Sequence, residues 1–250
     1  MKKFKLNIPL ILGIIIVTGL IVLSIYPEYF TNSDPYGKER LDFVYINGDL
    51  NIFEPPIEPC KEYPWGTDLY GRDMKSLIIY GSKLTLFTAV IIALGRFVIS
   101  LPIAILAWYG NRFFNWILKQ FSILFSAFPL IIITMLLSRM ALFMDIFKEP
   151  TPIVGCILII FGWSRLANLL KEKVEEVLSQ DFIEGEIAIG KNKIEIALQN
   201  VIPHLIPSIV VLFFLEIAQA LLALSQISVF GLISSTGTVE AAGDYRSGAG

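Results

Sequence analysis

Few side chains in this sequence could do catalytic chemistry. His204 is the only histidine, and Cys60 and Cys156 are the only cysteines. A single histidine excludes a histidine-rich metal site and weakens the case for a nucleophile activated by histidine, and two lone cysteines make no metal framework. No glycine-rich phosphate loop ending in Gly-Lys-Ser or Gly-Lys-Thr occurs, so the chain does not bind ATP by that route. The sequence therefore predicts no catalytic residues, no metal site and no resident cofactor.

Two charged residues stand inside long apolar runs. Arg96 lies near the middle of residues 84–109, and Glu216 near the middle of residues 205–229. A charge deep in a membrane costs about 2.5–3.5 kcal/mol on insertion scales, so such residues usually face a bundle interior and pair. We expect Arg96 and Glu216 to meet across two helices. Separate burial against other polar groups or water is the alternative, and lining of a substrate pathway is a third.

The composition is that of a membrane protein. Of the 250 residues, 55% are hydrophobic and only 17% are charged, whereas an average soluble domain has about 25% charged residues. A membrane-spanning helix needs roughly 20 mostly apolar residues. The sequence predicts a single all-α polytopic domain over residues 1–250, with spans near 8–26, 84–109, 117–137 (broken at Pro129), 152–170 and 205–229. The net charge of −2 gives no reason to expect nucleic-acid binding.

The segments between the spans predict an orientation. Apart from the long loop 27–80, the basic residues concentrate in segments that an N-terminus inside the cell would place in the cytoplasm, as the positive-inside rule requires. The loop 27–80 is then outside the cell, and the polar segment 171–203 is in the cytoplasm. The tail is polar and glycine-rich, so we expect the C-terminus to be truncated within a loop.

The polar segment 171–203 has the pattern of a helix pair. Ser179 or Asp181 can cap a first helix. Glu184 and Glu186 would lie in its first turn, where the helix dipole favours carboxylates. We call residues 181–203 the elbow.

The second half of the elbow resumes a helical pattern after Gly190. That glycine interrupts the first helix or ends it with a positive φ. Pro203 lies where the second helix must bend toward the membrane. The apolar residues of the second helix fall near one face: Ile194, Leu198, Val201 and Ile202. The predicted exposed ridge of the elbow is small and apolar, at Gly185, Ala188 and Ile189.

Two interpretations of the elbow remain open at this point. It could be an amphipathic helix that rests in the lipid interface, or a surface that docks into a groove of a protein partner. An interfacial helix favours lysine and arginine on its polar face, but the first half of the elbow has glutamates. That composition favours the protein partner.

The spacing of Glu184, Gly190 and Pro203 resembles the EAA loop of ABC-importer permeases. That pattern is Glu-Ala-Ala, three residues, Gly, nine residues, Ile, one residue, Leu-Pro. This chain departs from it at Gly185, Glu186, Asn200 and Ile202. Since Glu186 adds a second negative charge where the pattern has alanine, the partner is expected to present a basic groove.

A second segment resembles dipeptide, oligopeptide and nickel permeases. "YPWGTDLYGRDMKSLIIYGSKLTL", residues 63–86, is similar to the signature before their second span, and the likeness continues to about residue 233. Arg72 is within reach of both neighbouring aspartates, and a turn network that fixes the loop is the favoured role for these residues. The matching positions of the signature loop are Gly66, Thr67, Asp68, Gly71, Arg72 and Asp73.

The resemblance implies a permease subunit of an ATP-driven ABC importer for peptides, nickel or other small solutes. It implies six spans, a bacterial or archaeal inner membrane, and ATP bound by separate ABC ATPase subunits that grip the elbow at Asp181, Glu184, Gly185, Glu186, Ala188, Gly190 and Pro203. A second homologous permease subunit and an extracytoplasmic substrate-binding protein would complete the machine within the lipid bilayer. The alternative is a non-transporting membrane adaptor or sensor that recruits a cytoplasmic partner.

Overall fold

The computed structural model describes residues 8–31, 44–46, 49–51, 56–61, 63–69, 71–108, 112–127, 129–138 and 150–229. They fall into two compact units, residues 1–87 and 88–250. The described part of the chain is almost entirely helical, so the predicted all-α class is confirmed. The tail beyond residue 229, where the C-terminus was expected to be truncated, lies outside the described residues.

The first unit begins with an uncharged helix, α1 (Ile8–Ile25), followed by a short 3-10 turn at Pro27–Tyr29. Two three-residue strands, β1 (Val44–Ile46) and β2 (Asp49–Asn51), form an antiparallel hairpin with Tyr45 opposite Leu50. This hairpin was not predicted from the sequence. At about 1.5 Å per residue, α1 is about 27 Å long, close to the apolar thickness of a bilayer.

Several of the remaining helices extend beyond the ends of the predicted spans. They are α2 (Met74–Trp108), α3 (Arg112–Ser126), α4 (Leu130–Ser138), α5 (Pro150–Leu178), α6 (Asp181–Ala188), α7 (Lys193–Ile196) and α8 (Ile202–Val229). Because α2 begins at Met74 and α5 ends at Leu178, helix extends into both the predicted outer loop and the predicted polar segment.

By length and composition, three helical runs in the described part of the chain can cross a membrane. They are Met74–Ala107, Pro152–Leu178 and Lys193–Val229, and a fourth is counted if α3 and α4 form one broken span. The axes of α3 and α4 differ by 81° across a break that contains Pro129. The apolar part of the first helix, Ile11–Ile25, is shorter, so five spans stay a prediction.

The core of the second unit lies where α2, α5 and α8 meet. Small residues allow close packing there: a Cβ on Gly95 of α2 would lie 2.6 Å from Ile159 Cδ1 of α5. The buried side chains of this core are Ala89, Ile92, Val154, Leu158, Ala220, Leu224 and Ile227. These three helices therefore form a tightly packed group.

Trp163 belongs to a second cluster, between α3 and α5. Trp163 is only 7% exposed. Its ring lies 5.6 Å from the ring of Phe121 and 6.4 Å from that of Phe125. Because α5 extends well beyond the predicted span, Trp163 is near its middle rather than at its end.

Candidate functional site: the elbow and the buried ion pair

The first helix of the elbow, α6, begins without a side-chain cap. Gln180 is the N-cap residue and makes no capping bond. The expected caps are therefore wrong: Ser179 Oγ donates to the Glu176 carbonyl at 2.9 Å, and Asp181 is already helical. Asp181 and Glu184 lie in the first turn, where the helix dipole favours their carboxylates. Charge rather than capping stabilises this end of α6.

Gly190 reverses the chain after α6. Its φ is +90°, a conformation that other residues adopt at a cost. The Gly190 N–H donates to the Ile187 carbonyl at 3.0 Å, and the Lys191 N–H donates to the Glu186 carbonyl at 3.2 Å. These bonds satisfy carbonyls that the helix end leaves open. The predicted positive φ at Gly190 is confirmed.

Asn192 starts the second helix of the elbow with a capping box. Its Oδ1 accepts hydrogen bonds from the N–H groups of Ile194 at 3.0 Å and Glu195 at 2.9 Å. The Glu195 carboxylate in turn accepts one from the Asn192 N–H at 3.0 Å. The turn between α6 and α7 is thus fixed on both sides, by Gly190 and by Asn192.

The second helix is not interrupted at Pro203. It runs continuously from Lys193 to Val229, with a π-helical turn at Ala197–Val201 just before α8. A proline within a regular α-helix clashes with the carbonyl four residues earlier, and a π turn widens the backbone at that place. The π turn therefore accommodates Pro203 within one helical run, and the bend expected there stays a prediction.

The π turn also changes which side chains of the second helix are buried. Ile194 and Leu198 were expected on the apolar face, but both are exposed. The core beneath the elbow instead contains Val174, Val177, Ile183, Ile196, Val201 and Leu205. A π turn takes up one more residue than an α turn, so the 3.6-residue period assumed from the sequence does not hold across it.

The exposed surface of the elbow combines small or apolar residues with carboxylates. Of the residues expected to bind a partner, the exposed ones are Asp181, Glu184, Gly185, Ala188, Gly190 and Pro203. Ile189 is 74% exposed, and a Cβ on Gly185 would meet nothing within 4 Å. No packing within the elbow therefore demands a glycine at position 185.

Glu186 differs from the other acidic residues of the elbow because the chain itself neutralises it. Lys191 Nζ lies 2.6 Å from Glu186 Oε2, and Asn200 Nδ2 donates to Glu186 Oε1 at 3.2 Å. The Lys191 ammonium beside it is the main cause that lowers the pKa of the Glu186 carboxyl, against a smaller opposing effect of burial. Neither partner was predicted. The departure of Asn200 from the EAA pattern was the available signal.

An aromatic contact joins the two ends of the elbow. The rings of Phe182 and His204 stack with centroids 4.8 Å apart and an interplanar angle of 27°. His204 Nδ1 donates to the Asn200 carbonyl at 2.6 Å. His204 therefore ties the start of α8 to α6 and to the π turn.

The signature loop is held by two glycine turns. Gly66 and Gly71 have φ values of +72° and +78°. A Cβ on Gly66 would lie 2.7 Å from the Ile57 carbonyl oxygen, so the backbone approach itself requires glycine. Thr67 bonds to Ile57 twice: its N–H donates to the Ile57 carbonyl, and its hydroxyl accepts from the Ile57 N–H at 2.8 Å. The loop is thereby closed on itself.

The charged residues of the signature loop stabilise that turn and start α2. Asp68 pairs with Arg72, whose Nε donates to Asp68 Oδ2 at 2.7 Å. Asp73 accepts from the backbone N–H groups of Lys75 and Ser76, as an N-cap residue does. Ser76 Oγ also bonds to Thr31 Oγ1. The roles are those of a structural scaffold.

Within the second unit, the structure brings Arg96 and Glu216 together. Arg96 Nη1 donates to Glu216 Oε2 at 2.6 Å, and the two side chains are 4% and 3% exposed. Arg96 Nε also donates to the Leu158 carbonyl at 3.0 Å. One guanidinium thus links α2 to α5 and α8.

A glycine makes room for this guanidinium. A Cβ on Gly162 of α5 would lie 2.2 Å from Arg96 Nε. Gly162 and the Leu158 carbonyl were both missed in the sequence, because neither residue type signals a polar contact. Elsewhere in the described part of the chain, no group of three or more histidines, cysteines or acidic residues could hold a metal ion.

Long apolar helices, a buried ion pair between two of them and a polar elbow define a polytopic membrane protein. Residues 98–249 match the model of one family, the binding-protein-dependent transport system inner membrane component. The chain belongs to that family.

Individual relatives resemble nearly the whole chain. The dipeptide transport system permease protein DppC of Alkalihalophilus pseudofirmus is 23% identical over 92% of this chain and 70% of its own length. The oligopeptide transport system permease protein OppC of Bacillus subtilis is 22% identical over 97% of this chain and 75% of its own. The glutathione transport system permease protein GsiD of Escherichia coli is 23% identical over 96% and 73%.

Proposed function

We propose that this subunit imports small peptides, and that its elbow receives the ATPase that drives import. The observation that carries the proposal is the exposed, glycine-containing ridge of α6, which stands on a rigid base outside the apolar spans. The substrate class follows from the relatives, whose names specify dipeptide, oligopeptide and glutathione transport. Peptides are therefore favoured over nickel.

The base beneath α6 suits the transmission of force. Ile183 of α6 packs in one buried cluster with Val174 of α5 and Leu205 of α8. A push on α6 would therefore displace the ends of two long helices together, since packed interiors resist compression. A flexible loop at the same place would absorb the displacement. The Arg96–Glu216 pair would carry the movement of α8 to α2.

The proposed orientation places the N-terminus and the elbow in the cytoplasm, with the signature loop outside. The positive-inside bias supports this orientation. The remaining partners are a second homologous permease subunit and a substrate-binding protein that meets the outer loop. Apolar side chains exposed on α1 and α2, such as Ile15, Phe87 and Val98, would face lipid or the second permease.

Site-directed crosslinking tests the docking surface. Cys60 and Cys156 are the only cysteines, so replacing both with serine gives a clean background. In that background, Ala188→Cys should crosslink to a co-expressed ATPase subunit, and Leu69→Cys in the signature loop should not. Leu69 is a matched control because it is also exposed but would lie across the membrane. Crosslinking at Leu69 and none at Ala188 would reverse the proposed orientation and docking.

Uptake tests the substrate. Cells that express the complete transporter should accumulate labelled dipeptide or tripeptide only with this subunit present. Unlabelled peptides, but not nickel, should compete. Elbow crosslinking to an ATPase without any peptide uptake would favour a different solute, and the absence of both would favour the adaptor alternative.

A further inference from the structure

Two departures from the EAA pattern contact each other in the folded elbow. Glu186 stands where the pattern has alanine, and Asn200 where it has isoleucine, fourteen residues later. Asn200 Nδ2 donates to Glu186 Oε1 at 3.2 Å, and Lys191 lies 2.6 Å from the other carboxylate oxygen. We call these three residues the elbow clamp.

The elbow clamp connects three successive parts of the elbow. Glu186 belongs to α6, Lys191 to the turn, and Asn200 to the π turn that leads into α8. The buried cluster and the Phe182–His204 stack hold α6 to the same segments through apolar contacts. The clamp adds a directional polar contact, which fixes the angle of α6 more narrowly than apolar packing does.

We propose that Glu186 is a positioning residue that sets the orientation of α6 on α8 through Lys191 and Asn200, and is not a ligand for the ATPase. This inference rests on the proposed function, in which α6 receives the ATPase. It replaces the expectation that Glu186 requires a basic groove in the partner.

The contacts that Glu186 makes within its own chain support the positioning role. Its side chain is only 22% exposed, whereas the neighbouring Glu184 is exposed. One oxygen of the Glu186 carboxylate accepts a hydrogen bond from Asn200, and the other, which is buried, lies 2.6 Å from the Lys191 ammonium in an ion pair without hydrogen-bond geometry. An arginine of the ATPase would have to displace Lys191 to reach it. Glu184 is therefore the carboxylate that a partner can reach.

Asn200 depends on Glu186 in return. Among the described residues, no donor reaches Asn200 Oδ1, although that atom is buried. The hydrogen bond to Glu186 therefore offsets part of the cost of burying this amide. Removing one partner of a buried polar contact costs more than replacing both with apolar groups. Glu186 and Asn200 thus replace the alanine and isoleucine of the EAA pattern as a pair, with a polar contact between them.

A double-mutant cycle in the complete transporter tests the proposal. Glu186→Ala, Asn200→Ile and the double variant are reconstituted with ATPase subunits, permease partner and binding protein in liposomes. Two quantities are measured: the ATPase retained by the purified complex, and the peptide transported per ATP hydrolysed. Each single variant should retain the ATPase but lose about fivefold in peptide per ATP, a typical size for coupling between contacting residues. The double variant should recover most of that loss.

Three further variants separate the outcomes. Glu186→Gln keeps the side-chain volume and should lose less coupling than Glu186→Ala. Glu184→Ala alters the exposed carboxylate and should instead reduce ATPase retention. Glu176→Ala, an exposed glutamate on α5 outside the elbow, should change neither quantity.

Each contrary result has a distinct meaning. Loss of ATPase in Glu186→Ala and Glu186→Gln, with no effect of Asn200→Ile, would make Glu186 a ligand and overturn the positioning role while the proposed function stands. A lower melting temperature with unchanged peptide per ATP would reduce the clamp to a purely structural contact. If no elbow variant reduced ATPase retention and no elbow crosslink captured an ATPase subunit, the proposed function itself would be wrong.

Discussion

The elbow clamp and the Arg96–Glu216 pair use the same chemistry in two environments. Each holds a carboxylate against a cation, and each adds one hydrogen bond to a further segment. The pair in the spans is 4% and 3% exposed, whereas Lys191 and Glu186 are 28% and 22% exposed. Water reaches the partly exposed side chains of the elbow but not those of the apolar core. The same substitution should therefore have very different consequences in the two places.

The largest effect is expected from breaking the buried pair. Arg96→Ala or Glu216→Ala leaves one buried charge without its partner, which costs about 3–5 kcal/mol. Each single variant should therefore accumulate poorly in the membrane and melt at a lower temperature in detergent. The double change Arg96→Met with Glu216→Leu removes both charges and should be milder than the sum of the single changes. Strictly additive effects in melting temperature would contradict the pairing.

The next effect should come from the glycine beside the guanidinium. Gly162→Ala places a methyl group 2.2 Å from Arg96 Nε, so the side chain must shift away from Glu216. Overpacking of this kind costs about 1–3 kcal/mol. Gly13→Ala on α1 is the matched control, since a Cβ there meets nothing within 4 Å. Equal melting temperatures for the two variants would show that Arg96 has room to move.

A smaller effect on stability, with a larger one on transport, is expected at Gly190. Its φ of +90° makes any other residue strained, by about 1–2 kcal/mol. Gly190→Ala should lower peptide uptake while the protein still inserts in the membrane, and Gly190→Pro should abolish uptake. Gly185→Ala tests whether added bulk on α6 acts without strain, because space there is open within the chain. Normal uptake in Gly190→Pro would count against the coupling role of the elbow.

The two regions also differ in how far the sequence predicted them. Arg96 and Glu216 were placed together because a charge within a long apolar run has few acceptable surroundings. The positive φ of Gly190 followed from similar reasoning, since glycine near a helix end has a specific backbone role. In both cases a strong local constraint leaves few alternatives.

The elbow clamp depends on backbone detail that no periodicity reveals. The π turn at Ala197–Val201 shifts the second helix out of the 3.6-residue pattern. That shift buries Ile196 in place of Ile194. It also accompanies the contact between Asn200 and Glu186, which are far apart in sequence. Since the π turn has no clear signal in composition, the partners of Glu186 could not be predicted.

The smallest effect, and the one most specific to the elbow clamp, is its dependence on pH. The pKa of Glu186 lies below its usual 4.5 chiefly because the Lys191 ammonium lies beside the carboxylate. A carboxyl with a lower pKa in the folded state contributes stability above the pKa of the unfolded state, and loses it as pH falls through the lowered value. The melting temperature of the wild type should therefore exceed that of Glu186→Gln by a constant amount from about pH 5 to pH 8. Below about pH 4.5 that difference should shrink, because protonation makes the wild-type carboxyl neutral like the glutamine. A difference that instead shrinks as pH rises from 5 to 8 would show that Glu186 is not held as a carboxylate by Lys191.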